Sequence, residues 1–442
     1  MKRYESWGRY PQANHSKIIK VKRGEDALPT ISRYETMLAH GQGRSYGDSC
    51  LNNGGVLLDT SSLSGIIAFD RDRGILRCDA GTTLAEILDL IVPHGWFLPV
   101  APGTKHVSVG GAIANDVHGK NHHRAGTFGR YVEQFELLRS SGERPVCSSS
   151  QHSELFRATI GGLGLTGLIV WAEFQLKRID GPNIDVERFR FSTLDEFYSL
   201  AETSDRDYEY TVAWLDCASS KAGRGIFTRG NPAKSDNRST KSIESARLRH
   251  VPVSAPSFIL NQLTVRAMQS FYYRMQSLQT PKEVVHYEPF LFPLDAIANW
   301  NRIYGRRGFL QYQCVVPFDA REAIEEILRR ITRSDATAVL AVLKTFGDVK
   351  SPGTLSFPRP GVTLAVDFPN EGDRTLRLLD QLDEVTRSAS GAVYPAKDAR
   401  MSPESFQAYF PEWQTFAGHI DPKFSSSFWR RVSLPAVENS VD

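Results

Sequence analysis

Residues 102–129, PGTKHVSVGGAIANDVHGKNHHRAGTFG, decide how this 442-residue chain is read. Six glycines fall in the stretch, which opens Pro-Gly-Thr and carries His118, His122 and His123 within six positions. Glycines at this density let backbone lie against a flat or anionic ligand where a Cβ would clash. Histidines among them suggest chemistry at that surface rather than a plain turn. Metal is the obvious rival reading. However, HxxxHH in a glycine-rich loop lacks the helical spacing that would converge the rings, and no carboxylate stands ready as a further ligand, so no metal is expected.

Two more glycine loops flank this one. Gly41-Gln42-Gly43-Arg44-Ser45-Tyr46-Gly47-Asp48 directly follows a short strand, and alternate glycines there expose successive amides, which suits a diphosphate. It is neither a Walker loop nor the GxGxxG fingerprint. The third is Gly161-Gly162-Leu163-Gly164-Leu165-Thr166-Gly167. Any one could be a buried turn; three separated by short β units are better explained by one extended ligand crossed by several backbone loops.

Outward from these loops, residues 37–40, 56–59, 65–70, 75–79 and 168–176 read as strands. Thr83 followed by Glu86 is a capping box opening a helix over 84–91. The pattern changes at Ile179-Asp180-Gly181-Pro182. Beyond it, 208–215 and 309–316 read as strands, and 320–331 and 374–388 as amphipathic helices. Between Arg229 and Arg249 six Lys/Arg face two Asp/Glu with almost nothing apolar. That is a solvated mobile loop, about 229–255, or a basic flap that orders over an anionic, membrane-bound substrate.

Composition fits a two-domain cytoplasmic enzyme. Apolar content is 41%, charged content 23% and net charge +3, too small to argue for nucleic acid. No segment reaches the roughly 20 apolar residues of a membrane span, and MKRYESWGRYPQ is not a secretory signal. Cys50, Cys78, Cys147, Cys217 and Cys314 are odd in number and widely spaced, which suits a reducing compartment.

In order and spacing, GQGRSYGD, PGTKHVSVGGAIANDVHGKNHH and GGLGLTG resemble the PCMH-type FAD-binding domain of the vanillyl-alcohol-oxidase superfamily, and within it the enzymes that oxidise a polyprenylphosphoryl-ribose. The resemblance continues through Trp214, Trp300-Asn301-Arg302, GFLQYQ at 308–313, Lys344, VDFP at 366–369, YPAKDAR at 394–400, Asp421-Pro422 and Arg430-Arg431. It implies an α+β fold of two domains. An FAD-binding domain spans 1–180 and is completed by 395–442; a substrate domain on an antiparallel sheet spans 181–394. Relatives with covalent flavin generally carry a histidine where this chain has Arg44, and Asn115 is not a cysteine, so the resemblance implies non-covalent FAD.

By the same carry-over the cofactor contacts are Gly41, Gly43, Arg44, Ser45, Tyr46, Gly47, Asp48, Gly103, Thr104, Ser108, Val109, Gly110, Gly111, Asn115, Asp116, Val117, His118, Ile169 and Tyr394. Lys397 is the first catalytic candidate: a partly desolvated lysine beside flavin acts as base, or stays charged and stabilises anionic flavin. His118 is the second, since histidine titrates near neutral pH. Gln311 and Gln313 alternate on a strand and share a face, suited to sugar hydroxyls. Tyr46, Trp214, Lys344, Thr363, Ala365 and Lys397 complete the expected substrate set, with Asp367 read as a structural anchor.

The family's Asn-x-Cys before VDFP is here Thr363-Leu364-Ala365, and a family site tyrosine is Leu291. Residues 24–34 look short for the helix that usually precedes the first loop. The implied activity is oxidation of the 2′-hydroxyl of a polyprenylphosphoryl-ribose. The keto product would pass to an NADH-dependent short-chain reductase, completing an epimerisation to arabinose at the inner face of the membrane, in cell-wall or glycolipid synthesis. Another sugar or aldonolactone oxidase on the same fold, and a non-redox nucleotide-binding carrier module, stay open.

Overall fold

The computed structural model describes residues 4–24, 27–217, 223–234, 249–256, 259–276 and 281–433. The first part of the chain builds two sheets. Lys17–Lys20, Val56–Asp59 and Met37–His40 form a three-stranded parallel sheet. Ile66–Asp70, Ile75–Asp79, Leu168–Gln175, Val132–Leu138 and Val146–Ser148 form an antiparallel sheet in that order. Strand bounds expected from the sequence hold to within a residue or two here. The expected capping box is present: the Thr83 side chain accepts from the Glu86 amide while Glu86 reaches back to Thr83, and Leu84–Ile91 follows as a helix. No helix occupies the described part of 24–34.

From Asn183 onward one sheet dominates. Its eight antiparallel strands run Lys282–His286, Asn183–Phe191, Gly225–Pro232, Tyr210–Leu215, Leu340–Phe346, Gly361–Pro369, Phe309–Val316, Ala392–Val393. Helices Leu194–Asp205, Glu322–Arg333 and Asp373–Ser388 pack on one face, each by an apolar stripe. In Glu322–Arg333 that stripe is Ile324, Ile327, Leu328 and Ile331, the i, i+3, i+4, i+7 spacing of a one-sided helix. Strand alternation then dictates what the other face carries. Leu310, Tyr312 and Cys314 point to the helices, so Gln311 and Gln313 point away from them; likewise Ala341 and Leu343 leave Leu340, Val342 and Lys344 opposite.

The expected loop at about 229–255 is trimmed at both ends. Residues 229–232 continue the strand Gly225–Pro232, and Arg249–His250 pairs in parallel with Ile297–Ala298. Residues 235–248 lie outside the described residues.

The C-terminal tail returns to the start of the chain. The Met37 amide donates to Lys423 O and the Ser425 amide to Met37 O, setting the tail beside the parallel sheet. Phe406, Phe416 and Phe428 join the core beneath the large sheet. Arg431 ties both ends together: its Nη2 lies 2.7 Å from Asp48 Oδ1 and 3.0 Å from Asp398 Oδ2. The architecture is α+β.

Candidate active site

The exposed face of the large sheet and the three glycine loops enclose one cleft with about 1800 Å³ of empty space, its mouth included. The two sides are built differently.

One side is mostly backbone. Gly41, Gly43, Arg44, Ser45 and Tyr46 line it, as do Gly103, Thr104, Ser108, Gly110, Gly111, Asn115, Val117 and His118. Ile169 and Tyr394 close the same side. Gly43 sits at φ +60°, and a Cβ there would come within 3.0 Å of Glu5 O, so only glycine fits without strain. The amides of Gln42, Gly43, Arg44 and Ser45 meet no acceptor among the described residues. The amides of Val109, Gly110 and Gly111 are already used, by Thr82 O, Ala80 O and the Ser108 hydroxyl. The first loop, not the short helix Val109–Ala114, therefore has donors to spare for an anion. Arg44 adds a cation: its guanidinium stacks 4.1 Å over Trp7, its buried Nε has no partner among the described residues, and burial lowers its pKa.

The other side is made of side chains. Gln311, Gln313, Leu340, Val342, Lys344 and Ala365 come from three adjacent strands, and Lys397 from the turn that follows Tyr394. Lys397 Nζ sits 3.4 Å from the centre of the Tyr46 ring and hydrogen-bonds to no described residue. Desolvation lowers its pKa, with Asp367 pulling the other way and Lys344 adding to the drop. Asp367 is buried, accepts from Gln311 Nε2, and lies 3.3 Å from Tyr304 OH; burial raises its pKa. Lys344 Nζ donates to Gly119 O at 3.3 Å, and burial lowers its pKa to about 8.

His118 is buried among Phe346, Phe357 and Tyr394, edge-on to all three. Burial and Lys344 push its pKa well down, so it is neutral. Gln313 Nε2 lies 2.9 Å from its Nε2, an arrangement in which the ring accepts and carries its proton on Nδ1. Its free lone pair is thereby engaged, which makes it a holder of Gln313 rather than an open base. Thr363 does the same from the strand side, its Oγ1 being 3.4 Å from Gln313 Nε2. The histidines diverge: His122 packs on Phe346 at 4.5 Å and His123 Nε2 bonds Tyr208 O.

Several expected contacts lie off the cleft, and each has a structural reason. A Cβ on Gly47 would fall 1.5 Å from Asp398 O, so its glycine serves close packing. Asp48 is buried against Arg431. Val109 is core. Asp116, at φ +40°, accepts from the Gly129 amide and from Ser351 and Ser356. Trp214 sits across the ladder from Val342, one strand beyond the lining, edge-on to Tyr272. Of the family departures Ala365 lines the cleft; Thr363, on the same face of its strand, stands behind Gln313, and Leu291 is buried with its carbonyl accepting from Lys120 Nζ at 2.8 Å.

Sequence reasoning missed Lys120, whose pKa burial lowers to about 7, and Asp295, which lines the cleft while accepting from the Lys105 amide. It also missed Leu340 and Val342, although counting by two from Lys344 along its strand finds both.

A cleft with spare backbone donors, a buried cation at one loop and a lowered-pKa lysine beyond it suits a large, flat, anionic cofactor. Residues 30–148 match the family model described as an FAD binding domain. The cofactor is FAD, and the protein is an FAD-dependent oxidoreductase acting on CH–OH groups. Over 98% of both chains it is 36% identical to Decaprenylphosphoryl-beta-D-ribose oxidase of Mycolicibacterium smegmatis, and it belongs to that enzyme's family. An uncharacterized protein in the mprA 5' region of Streptomyces coelicolor is 31% identical over 80% of this chain and 100% of its own. Delta(24)-sterol reductase of Homo sapiens shares 30% identity over 26% of this chain and 22% of its own.

Proposed function

We propose that this enzyme oxidises a secondary hydroxyl of a lipid-linked pentose, the 2′-hydroxyl of a polyprenylphosphoryl-ribose, to the ketone. The observation that carries this reading is Lys397: a lysine of lowered pKa on the cleft wall, beside two amides and a second lysine. In this reading residues 1–180 with 395–442 form the cofactor domain and 181–394 the substrate domain.

FAD, held non-covalently because Arg44 and Asn115 stand where tethering residues would be, supplies the hydride acceptor. The chain's residues do the rest. Gln311 and Gln313 fix the sugar hydroxyls, with His118 and Thr363 holding Gln313 in place. Lys344 and Tyr46 hold the phosphosugar. Lys397, neutral, takes the hydroxyl proton on Nζ as the carbon gives up its hydride; Asp367 then faces the ammonium so formed. The keto sugar is the substrate of a short-chain NADH-dependent reductase, and the pair epimerises ribose to arabinose. The site of action is the cytoplasmic face of the membrane; among the described residues no helix is long and apolar enough to cross it.

The test is anaerobic bleaching of the flavin. Polyprenylphosphoryl-ribose should bleach the yellow protein while free pentoses and aldonolactones do not. Bleaching by an aldonolactone instead would select the second enzyme reading, which the alanine at 365 keeps in play by altering the wall that meets substrate. A colourless protein that takes up no FAD would sink both and leave the carrier module.

A further inference from the structure

Two glutamines reach the cleft from alternate positions on one strand, and each is held by its nitrogen. Gln311 lies directly across the ladder from Asp367 and gives an Nε2 hydrogen to Asp367 Oδ1. Gln313 Nε2 lies 2.9 Å from His118 Nε2 and 3.4 Å from Thr363 Oγ1, so both of its hydrogens have a taker. Neither Oε1 accepts from any described residue, and neither is sealed from solvent. Both side chains line the cleft.

The direction of the Gln311 amide is not free. A carboxylate has lone pairs and no hydrogen, so the amide nitrogen must turn toward it and the oxygen away. Asp367 is itself fixed. It is fully buried, and Tyr304 OH donates to its Oδ2 at 3.3 Å. The Tyr304 ring in turn stacks on Phe309 at 4.2 Å, so the donor comes from outside the sheet and is packed against it. Turning Gln311 over would set its oxygen against a buried carboxylate, two acceptors with no proton between them. A charge behind the wall thus decides what the wall presents in front.

What it presents is amide oxygen, and amide oxygen recognises hydrogen-bond donors. A sugar hydroxyl satisfies it. A carbonyl or a fluorine in the same place brings a second acceptor and leaves the amide oxygen unpaired. We propose that Asp367 is a positioning residue: by holding the Gln311 nitrogen it turns that amide's oxygen into the cleft and selects substrates whose hydroxyl donates there. The substrate class narrows to sugars with a free hydroxyl at this point; one oxidised or alkylated there is disfavoured. The sugar's identity rests on the proposed function, whereas the amide orientation rests on the strand pair alone.

Analogues of polyprenylphosphoryl-ribose test it, with hydrogen or fluorine in place of the 3′- or the 5′-hydroxyl. Fluorine keeps an acceptor and loses the donor. Anaerobic bleaching is followed at pH 9, above the lowered pKa values of Lys397 and Lys344, so that their ionisation drops out of the comparison. At one of the two positions both analogues should need about tenfold more substrate for half-maximal rate in the parent, with fluorine no better than hydrogen. In Asp367→Asn the side chain at 367 can donate and Gln311 can turn over. The fluoro analogue should then gain about tenfold on the deoxy one, with FAD content unchanged. Tyr304→Phe keeps the carboxylate and should keep the parental pattern. A parent that prefers fluorine to hydrogen at both positions, or is indifferent to both replacements, overturns the orientation. The parental pattern in Asp367→Asn, or its loss in Tyr304→Phe, overturns the role of Asp367. If the ribose compound bleaches nothing, the proposed function falls and the orientation is read without substrate. The Gln311 side-chain amide of 15N-glutamine-labelled parent should exchange its hydrogens more slowly than surface glutamines do. Equal exchange overturns the orientation, and the same measurement decides if Asp367→Asn does not fold.

Discussion

The two walls of the cleft solve different problems with different materials. The wall that the proposed function gives to the cofactor presents backbone: glycines at 41, 43, 103, 110 and 111, and amides at 42–45 that meet no acceptor among the described residues. Its ligand is constant, so geometry can be fixed by residues that have no side chain to move. The opposite wall, the substrate's in the proposed function, presents side chains from three strands, aimed by strand alternation, and Lys397 from a distant turn. Side chains there are exchangeable one at a time without disturbing the sheet, and position 365, an alanine between Gln313 and Val342, is one such place. Lys397 stands at the seam, over Tyr46 of the first loop and beside the strands.

The sharpest test of that seam is Lys397→Met. In the proposed function FAD is held by the backbone wall, so its binding should persist, while the anaerobic bleaching rate should fall by about 10³-fold, some 4 kcal/mol in barrier. Bleaching at the parental rate would remove Lys397 from the chemistry. In the parent the rate should rise with pH through the lowered pKa of Lys397, because the neutral amine is the working form. A rate that falls with pH would show that the ammonium is the working form, stabilising reduced flavin.

Gly47→Ala attacks the join between the walls. Its Cβ would meet the Asp398 carbonyl, a backbone atom that cannot swing aside, one residue from Lys397. Shifting that turn also strains the bridge that half-buried Arg431 makes between the buried Asp48 and Asp398. A loss of about 3 kcal/mol is expected, read as a lower Tm together with loss of FAD on gel filtration. An unchanged Tm would mean that the two walls are not coupled here.

Legibility divides along the same line. Backbone demands were visible in the sequence because they select a residue type, so the glycine loops pointed to the cleft. Strand alternation placed Gln311 and Gln313 on one face, and the helix stripes placed the core behind them. What failed was anything set by distant partners. Asp48 and Asp116 stand among glycine-loop residues, yet their partners are Arg431 and, for Asp116, Ser351 and Ser356, more than two hundred residues away. Lys120 went unnoticed because its burial comes from tertiary packing, which no local pattern reports.

Lys344→Met separates stability from binding on the substrate wall. The folded pKa of Lys344 lies near 8, below the ordinary 10.5, so the unfolded chain holds more protons between those values and stability rises with pH across that window. Below pH 8 the native state carries the full desolvation cost. The variant should therefore melt higher than the parent at pH 7 by about 3 °C, with the gap closing toward pH 10.5. It should also bind phosphosugar more weakly. A parent whose Tm is flat from pH 8 to 10.5 would show that Lys344 keeps its ammonium at no cost.

The smallest expected effect on turnover belongs to Ala365→Cys, and it probes the comparison most directly. Ala365 pairs with Gln313 on one side and Val342 on the other, both cleft residues, so a thiol there projects into the cleft rather than into the core. One sulfur in so large a space should change the bleaching rate by less than about twofold. The cofactor wall already has a thiol, Cys50, but burial and the nearby Asp48 raise its pKa to about 12, and Cys78, Cys147, Cys217 and Cys314 are buried. Iodoacetamide at pH 8 should thus leave the parent unmodified and add one carbamidomethyl group to the variant, with loss of bleaching that phosphosugar protects against. Labelling of the parent at Cys50 would mean that the backbone wall opens to solvent. No labelling of the variant would mean that position 365 does not face the cleft, and that the family's residue there acts through packing rather than contact.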